Sequence, residues 1–141
     1  MPLWILDTDH VSLFLNGDQN VGRKVIQQLA DTAITVVTVQ ELFNGWVGRI
    51  NDPAQADQLI LLYTKLWNTA EFLKTIRILN FDAAADACYK NLLRDKSLSQ
   101  KRLQKDLRIA AIALSVNGIM VTRNHRDFSK VPNLRIEDWT V

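Results

Sequence analysis

Short apolar runs alternate with helical patterns along this 141-residue chain, and this alternation limits the folds open to it. Runs of aliphatic and β-branched residues bounded by turn or capping residues predict strands. The predicted strands lie at residues 3–6, 33–37, 76–79, 119–121 and, at the edge of the sheet, 134–136. Strands that alternate with helices form parallel sheets covered on both faces. We therefore expect a three-layer α/β/α sandwich with a central, mostly parallel four- to five-stranded sheet.

The segments between the strands have helical spacing and ordinary start and stop residues. Asp82 has the position of an N-cap, Asp52-Pro53 opens a helix with proline at its first position, and Asn117-Gly118 ends the late apolar helix. The predicted helices span residues 10–15, 21–30, 38–46, 53–66, 83–94 and 103–116, and residues 96–102 are predicted to be a basic loop. No repeat or linker divides the chain, so residues 1–141 are predicted to form a single domain.

The composition is that of an ordinary globular protein. Hydrophobic residues make up 48% of the chain and charged residues 23%, which is enough for a packed core. The formal net charge of +2 permits a nucleic-acid partner without requiring one. The single cysteine, Cys88, excludes an intramolecular disulfide and suits a reducing compartment. Neither a signal-peptide pattern nor an apolar stretch of roughly 18–20 residues is present, so a cytoplasmic location is expected.

Four acidic residues lie at or near the ends of different predicted elements: Asp7, Glu41, Asp106 and Asp127. In open α/β sheets, ligands bind beyond the carboxyl ends of the strands, where side chains from separate elements converge. Carboxylates held together without a cation repel each other, and hard cations such as Mg²⁺ or Mn²⁺ take oxygen ligands. We therefore predict a metal-dependent phosphoryl-transfer site in which these four residues are the metal ligands and catalytic groups.

The two acids near the first strand and the glutamate after the second also have structural explanations. Asp7 would otherwise cap the next helix, and Asp9 would be either a further ligand or the cap of a helix that begins at His10. Thr38 and Glu41 have the spacing of a capping box, in which the glutamate bonds back to the start of the helix. Both interpretations of each residue stay open at this point.

The two late acids lie among basic residues. Asp106 is in the first turn of a helix, where the macrodipole favours an acid, and the small residues that follow would let this helix approach the sheet. Asp127 follows the fourth strand, where Thr122 and Asn124 offer hydrogen bonds to neighbouring carboxylates. The basic residues would either attract a polyphosphate ligand or form a solvated face. They are Arg94, Lys96, Lys101, Arg102, Lys105, Arg108, Arg123, Arg126 and Lys130.

No other set of reactive residues is evident in the sequence. His10 and His125 are far apart and form no ligand pair by spacing. The chain contains no recognisable Ser/His/Asp arrangement, glycine-rich phosphate loop or zinc-binding spacing. The acids are therefore the only chemistry with several members.

Four motifs, in this order, resemble the VapC-type toxin branch of the PIN-domain family. They are LDTDHVS, TVVTVQEL, DLRIAAIAL, and VTRNHRDF followed by VPNLRIEDW. The resemblance spans essentially the whole chain, and the late pair of motifs is the most specific. It implies a PIN-like domain, and by motif position Asp7, Glu41, Asp106 and Asp127 match the acidic set of the family.

The resemblance also implies an activity and partners. Family members are Mg²⁺- or Mn²⁺-dependent ribonucleases, usually toxins neutralised by an antitoxin protein, and they commonly form homodimers. Asp7 and Asp106 would be direct metal ligands, and Glu41 or Asp127 would orient the attacking water. Many relatives have asparagine at the position of Asp9, so DTD is a departure from the pattern.

Three other functions fit parts of the sequence. A PIN-type RNA-processing nuclease without an antitoxin would have the same fold and site. A haloacid-dehalogenase-like phosphatase would use Asp7 and Asp9 as its DxD motif, although TRNHRDF lacks the acidic pair which that class needs. A non-enzymatic receiver-like module would place its acceptor aspartate after the third strand, where Asp82 is better explained as a helix cap.

Apolar residues between the second and third strands suggest where a protein partner would bind. These residues would either line a groove for a partner helix or pack against each other in the core. They are Trp46, Val47, Ile50, Trp67 and Phe72.

Overall fold

The structure, a computed structural model, describes residues 2–141. Strands and helices alternate along them as β1 (Trp4–Leu6), α1 (Thr8–Leu15), α2 (Gln19–Gln27), β2 (Thr32–Thr35), α3 (Val36–Ile50), α4 (Leu59–Leu73), β3 (Arg77–Leu79), α5 (Ala83–Leu93), α6 (Gln104–Ser115), β4 (Ile119–Val121), α7 (His125–Phe128) and β5 (Arg135–Glu137). Short 3₁₀ helices occupy Leu29–Asp31, Pro53–Gln58, Lys96–Leu98 and Lys101–Leu103. Among the described residues, no helix has the combined length and apolar character needed to cross a membrane.

The five strands form one parallel sheet in the order β3-β2-β1-β4-β5. β1 lies at the centre, where Ile5 is in register with Ala33 on one side and Met120 on the other. The chain proceeds outward from β1 in one direction first and then returns to fill the other side. This reversal of strand order beside β1 creates the crevice at which ligands bind in open α/β sheets.

Successive residues of the central strands point to opposite layers. Ile5 and Met120 belong to a core that they share with α5 and α6, whereas Leu6 and Val121 belong to a second core with α1, α2, α3 and α4. This alternation is the period of two that a strand imposes on its side chains. The predicted three-layer fold, with a sheet buried on both faces, is therefore confirmed.

A close approach at the amino-terminal edge of the sheet explains the glycine that precedes β4. Asn117 has a positive φ of 52°, and Gly118 follows it with its backbone nitrogen donating to the Ala113 carbonyl at 2.9 Å. A Cβ atom on Gly118 would meet the Cδ1 atom of Ile5 at 2.6 Å. Glycine is required here because the turn brings β4 against the side chain of the neighbouring strand.

Two predicted helix starts are wrong, and both errors concern the site. Helix α1 begins at Thr8 with Asp7 as its N-cap, so Asp9 lies inside the first turn and is not a cap. Helix α3 begins at Val36, because the Thr35 hydroxyl caps it by accepting from the Thr38 backbone N–H. The predicted capping box at Thr38 is therefore absent, and Glu41 is free of that structural role.

Candidate metal centre

A cavity of about 380 Å³ opens at the carboxyl edge of the sheet. It lies where β1 leads into α1 and where α3, α6 and the segment after β4 converge. We call it the acidic cavity, and its lining residues are Asp7, Thr8, Asp9, Glu41, Asp106, Arg123 and Asn124. Three of the four predicted site acids line it, as does Asp9.

Asp7 is held in place by donors on both of its carboxylate oxygens. Its Oδ1 atom accepts from the His10 backbone N–H at 2.8 Å and contacts His10 Nδ1 at 3.2 Å. Its Oδ2 atom accepts from the Thr122 hydroxyl at 2.6 Å. The residue is buried, and it caps α1 at the same time as it faces the acidic cavity. The capping and site interpretations of Asp7 are therefore compatible.

Glu41 reaches the acidic cavity from the second turn of α3. The Thr8 hydroxyl donates to its Oε1 atom at 2.7 Å, and Thr8 Oγ1 lies 3.1 Å from Thr38 Oγ1. These contacts orient the glutamate toward β1. Among residues 2–141, the Thr8 hydroxyl is the one hydrogen bond donor to this carboxylate, and it is neutral.

Asp106 has the most perturbed environment of the site acids. It lies in the first turn of α6 and accepts a long hydrogen bond of 3.4 Å from the Asn124 amide. Burial, together with neighbouring negative charges, raises the pKa of its carboxyl to about 6. In order of influence those charges are Glu41, Asp7 and Asp127. The three other predicted acids therefore lie close enough to Asp106 to disfavour its charged form.

Asp127 belongs to the same network but is already partnered. The amide of Asn124 donates to its Oδ2 atom at 3.0 Å, and Arg102 Nη1 lies 2.9 Å from the same oxygen. The Asn124 hydrogen bond is the largest cause that holds the pKa of Asp127 below its ordinary value, and Arg102 adds to it. Asp127 does not line the acidic cavity, but Asn124 links it to Asp106.

Asp9 faces Arg123 across the mouth of the acidic cavity. The guanidinium donates from Nε at 2.7 Å and from Nη2 at 2.8 Å, which is a bidentate ion pair. Asp7, Asp9 and His10 also present donor atoms within 4.8 Å of one another. His10 is fully buried with both ring nitrogens engaged, and Asp9 is neutralised by Arg123. That trio is therefore a poorer cation site than Asp7 together with the half-buried carboxylates of Glu41 and Asp106.

The unpaired acids of the acidic cavity fit a hard divalent cation. Mg²⁺ and Mn²⁺ take carboxylate oxygens, and Asp7, Glu41 and Asp106 offer three carboxylates from three separate elements. The raised pKa of Asp106 comes first from burial and then from the negative charges of its neighbours, which outweigh the opposite effect of Arg102. Asp7 and Asp106 would hold the ion directly, with Glu41 and Asp127 beside it.

Sequence reasoning missed several residues of the site. It did not foresee Thr8 as the partner of Glu41, Arg123 as the partner of Asp9, or His10 as a contact of Asp7. A parallel sheet places the residues after β1 beside those after β4, and that adjacency was the signal available for Arg123. The suggested roles of Thr122 and Asn124 as donors to neighbouring carboxylates agree with the structure.

The comparison with curated proteins finds a ribonuclease among the relatives. The chain is 37% identical over 71 residues to Ribonuclease VapC2 of Rickettsia felis. The matched segment is 48% of this chain and 52% of the relative, so the chain spans about half the length of the curated relative it matches. No family model matches the chain.

The comparison with solved structures covers nearly the whole chain. DNA-bound VapBC from Salmonella typhimurium contains a chain with a TM-score of 0.78 and 23% identity, covering 99% of both chains. A chain of VapBC-1 from nontypeable Haemophilus influenzae has a TM-score of 0.78 and 22% identity, again covering 99% of both chains. A chain of VapBC2 from Rickettsia felis bound to a promoter DNA fragment has a TM-score of 0.73 and 25% identity, covering 97% of this chain and 98% of that one.

The fold and the acidic cavity define a class of protein. It is the three-layer α/β domain with an acidic centre at the carboxyl edge of a parallel sheet, and the chains found in VapBC structures share its fold. The predicted resemblance to VapC-type proteins agrees with the sequence relative, Ribonuclease VapC2, and the predicted fold agrees with these structures.

Proposed function

We propose that this protein is a ribonuclease that depends on Mg²⁺ or Mn²⁺ and acts as the toxin of a toxin-antitoxin pair. The observation that carries the proposal is the convergence of Asp7, Glu41 and Asp106 on one open cavity, with the pKa of Asp106 raised to about 6 by burial and its acidic neighbours. The similarity to Ribonuclease VapC2 supports RNA as the substrate. The cytoplasm, where RNA is abundant, is the expected site of action.

The residues in and beside the acidic cavity have separate roles in the proposed cleavage of a phosphodiester bond. A bound divalent ion supplies an activated water and stabilises charge on the leaving oxygen. Asp7 and Asp106 would hold that ion, and the hydrogen bonds on both oxygens of Asp7 already restrict its side chain, so less motion would be lost on binding. Glu41, oriented by Thr8, accepts a proton from the attacking water or positions it. Asp127 acts through Asn124, which it fixes beside Asp106.

Positive charge at the mouth of the acidic cavity favours a phosphate backbone. Arg123 lines it, and Arg102 lies beside Asp127 with half of its side chain exposed. Each guanidinium has donors left over from its carboxylate partner. The RNA would present single-stranded or looped backbone, because a paired helix keeps its scissile bonds away from a recessed site.

Cleavage of labelled total RNA tests the activity. Wild type is incubated with Mg²⁺, Mn²⁺ or EDTA beside Asp7→Asn, which keeps a capping side chain for α1 but removes a ligand charge. Asp52→Asn, the same change at an exposed cap, is the matched control. We expect metal-dependent cutting by wild type and Asp52→Asn, and none by folded Asp7→Asn.

Two outcomes would contradict the proposal. Normal cutting by Asp7→Asn would remove Asp7 from the site. A folded wild type that cuts no RNA with either metal would favour the phosphatase, for which release of phosphate from p-nitrophenyl phosphate is the assay. The receiver-like alternative is already weakened, because Asp82 caps α5 by accepting from the Ala85 N–H at 3.0 Å.

An antitoxin would bind in a groove next to the acidic cavity. One cavity of about 250 Å³ lies between α1, α3 and α4, and a second of about 170 Å³ joins it to Thr8 and Glu41. We call them together the tryptophan groove; its lining includes Leu15, Leu42, Trp46 and Arg49. Trp46 donates from its indole to the Thr69 hydroxyl at 3.0 Å, so the ring is fixed at the wall of the groove.

The other apolar residues named with Trp46 separate into two groups. Phe72 is buried in the core against Phe14, with ring centroids 5.4 Å apart, so core packing is the correct one of its two predicted alternatives. Trp67 is 63% exposed on α4. The VapBC complexes among the structural relatives support a protein partner, and a helix with an apolar face would fit the tryptophan groove.

Co-expression with the protein encoded by the adjacent gene tests this partner. Trp46→Ala should weaken capture of the antitoxin by at least about 10-fold, the usual cost of removing an aromatic anchor. Ile26→Ala, at an exposed apolar residue of α2 that lies outside the tryptophan groove, is the control. Unchanged capture by Trp46→Ala would exclude the tryptophan groove, and a gene neighbourhood without a partner would favour the RNA-processing nuclease.

A homodimer is the expected assembly, on the strength of the family resemblance. Helix α4 exposes apolar side chains suited to a second copy, among them Ile60 at 89% and Trp67 at 63%. Light scattering on the purified protein should give twice the chain mass of 16.1 kDa. A monomer at micromolar concentration would contradict the dimer without affecting the proposed chemistry.

A further inference from the structure

His10 is a fully buried histidine that the proposed chemistry does not use. It lies in the first turn of α1, directly behind Asp7, and its exposed fraction is 0%. Its Nδ1 atom is 3.2 Å from Asp7 Oδ1, and its Nε2 atom accepts from the Trp139 backbone N–H at 3.2 Å. Asp138 Oδ1, which accepts two hydrogen bonds from Thr140, lies farther from Nε2, at 3.7 Å. Both ring nitrogens are therefore committed to specific partners.

These two partners fix the tautomer of the ring. A backbone N–H can only donate, so Nε2 must be the unprotonated nitrogen. A neutral imidazole carries one proton, which then resides on Nδ1 and points at the Asp7 carboxylate. Histidine N–H groups orient carboxylates in this way when their own second nitrogen is held by the protein.

The segment that holds Nε2 is itself firmly anchored. Trp139 is buried, packs on Trp4 with ring centroids 6.1 Å apart, and donates its indole N–H to Glu137 Oε1 at 3.1 Å. The next residue, Thr140, donates to Asp138 from both backbone and hydroxyl. Residues 137–140 thus hold the Trp139 N–H in a fixed position, and His10 Nε2 is the acceptor that it requires. These residues lie far along the chain from Asp7.

We propose that His10 is a positioning residue: its Nδ1–H holds Asp7 in the orientation that binds the divalent ion, and the Trp139 amide keeps the ring in the tautomer that can do so. This inference rests on the proposed function, because it assigns Asp7 as the ligand. The chain of contacts runs from Trp139 through His10 to Asp7, with the Thr122 hydroxyl fixing the other carboxylate oxygen.

Two substitutions separate the two hydrogen bonds of the ring. In His10→Asn the amide nitrogen takes the place of Nδ1, so the donor to Asp7 is kept and the acceptor for Trp139 is lost. In His10→Gln the longer amide takes the place of Nε2, so its oxygen can accept from Trp139 while the donor to Asp7 is lost. His125→Gln, at an exposed residue, is the matched control.

Calorimetric titration of the metal-free proteins with Mn²⁺ is the main measurement. We expect His10→Gln to raise the Kd by about 10-fold, the lower end of the effect of losing a residue that orients a ligand. His10→Asn should stay within about 3-fold of wild type although its Tm falls, because the buried Trp139 N–H loses its acceptor. If His10 had only a structural role, the less stable variant, His10→Asn, would bind Mn²⁺ more weakly than His10→Gln, which is the opposite order.

The outcomes distinguish this inference from the proposed function. Equal Mn²⁺ affinity in both variants would overturn the role of His10, even if wild type cuts RNA. The expected order of affinities without RNA cleavage would support His10 and contradict the nuclease. A wild type that binds no Mn²⁺ would overturn both.

Nitrogen NMR on wild type keeps the inference falsifiable if the variants fail to fold. With only two histidines in the chain, His125→Gln assigns the His10 signals. We expect the Nδ1-protonated tautomer, and a shift of that proton signal when Mg²⁺ is added. Protonation on Nε2, or no response to Mg²⁺ at concentrations that saturate the site, would overturn the proposal.

Discussion

The two sides of the acidic cavity carry the same kind of residue in opposite electrostatic states. On one side, Asp106 lies among other acids and its pKa is raised to about 6. Behind the other side, which Asn124 lines, Asp127 lies between Asn124 and Arg102, and these two residues hold the pKa of its carboxyl below the ordinary value. Asp9 resembles Asp127, since it is paired with Arg123 through two hydrogen bonds.

This difference separates the acids that have an arginine partner from those that have none among the described residues. The carboxylates paired with arginines are neutralised by the protein itself, and they hold positive charge where a phosphate would approach. In the proposed function, the carboxylates without an arginine partner are the ones that bind a cation. A count of acidic residues would treat both sides alike, whereas their partners separate the proposed metal-binding side from the proposed substrate-binding side.

The largest expected effect separates the two sides by activity. Asp106→Asn should abolish both Mn²⁺ binding and RNA cleavage, because it removes a ligand from the unpaired side. Asp127→Asn should keep measurable Mn²⁺ binding, because that carboxylate is already engaged by Arg102 and Asn124. Calorimetry and a cleavage assay on both variants test this. Equal losses would mean that the two sides act as one ligand set.

The stability of the metal-free protein should depend on pH through Asp106. Its folded pKa of about 6 lies above the ordinary 3.8, so the folded state binds this proton more tightly than the unfolded state does. The resulting stabilisation is complete below about pH 4 and is lost as the pH rises through 6. With EDTA present, Asp106→Asn should therefore be more stable than wild type at pH 7.5, and this difference in stability should be smaller at pH 4.5.

Thermal unfolding of both proteins at the two pH values measures this gap. Mn²⁺ should reverse it at pH 7.5, because the ion compensates the charges that repel Asp106 and binds only the wild type. A difference in stability that does not change with pH would show that folding does not disfavour the ionised form of Asp106. The metal-binding side would then be no different from the side with arginines.

The fold was predictable from the sequence because its signals are local. The five strands and the Asp82 cap follow from apolar runs and from single residues beside them. The start of α3 could not be predicted from the sequence, because Val36 and Val37 have strand propensity. Only the register of the sheet shows that β2 ends at Thr35. Helix α7 was missed because its four residues are too few to show a period.

The acids of the site were predictable in kind, and their pairing was not. Each site acid lies near the end of a recognisable element, so convergence at the sheet edge could be inferred from topology. Asp9 and Arg123 are 114 residues apart, and nothing in either local sequence names the other. Glu41 was ambiguous for the same reason, since its partner Thr8 lies 33 residues earlier. Contacts between elements decide which carboxylates are neutralised, and such contacts need coordinates.

A smaller effect would sharpen the role of the arginine side. In an Asp7→Asn background, which prevents cleavage, Arg123→Gln should weaken RNA binding and lower the slope of log K against log salt by about 0.7, the value for one phosphate contact with a single strand. Arg23→Gln, at an exposed residue of α2, is the matched control. Unchanged binding by the Arg123 variant would mean that the guanidinium serves only Asp9.

The smallest expected effect concerns an ion pair outside the acidic cavity. Lys74 Nζ lies 2.9 Å from Glu71 Oε1, and the two side chains are 70% and 44% exposed. Lys74→Gln should change the free energy of unfolding by less than about 0.5 kcal/mol, because solvent screens exposed pairs. Urea unfolding and Mn²⁺ titration measure it, and the affinity for Mn²⁺ should not change. If it did change, long-range charge would be setting metal affinity, and the contrast between paired and unpaired carboxylates in the acidic cavity would lose its explanation in local contacts.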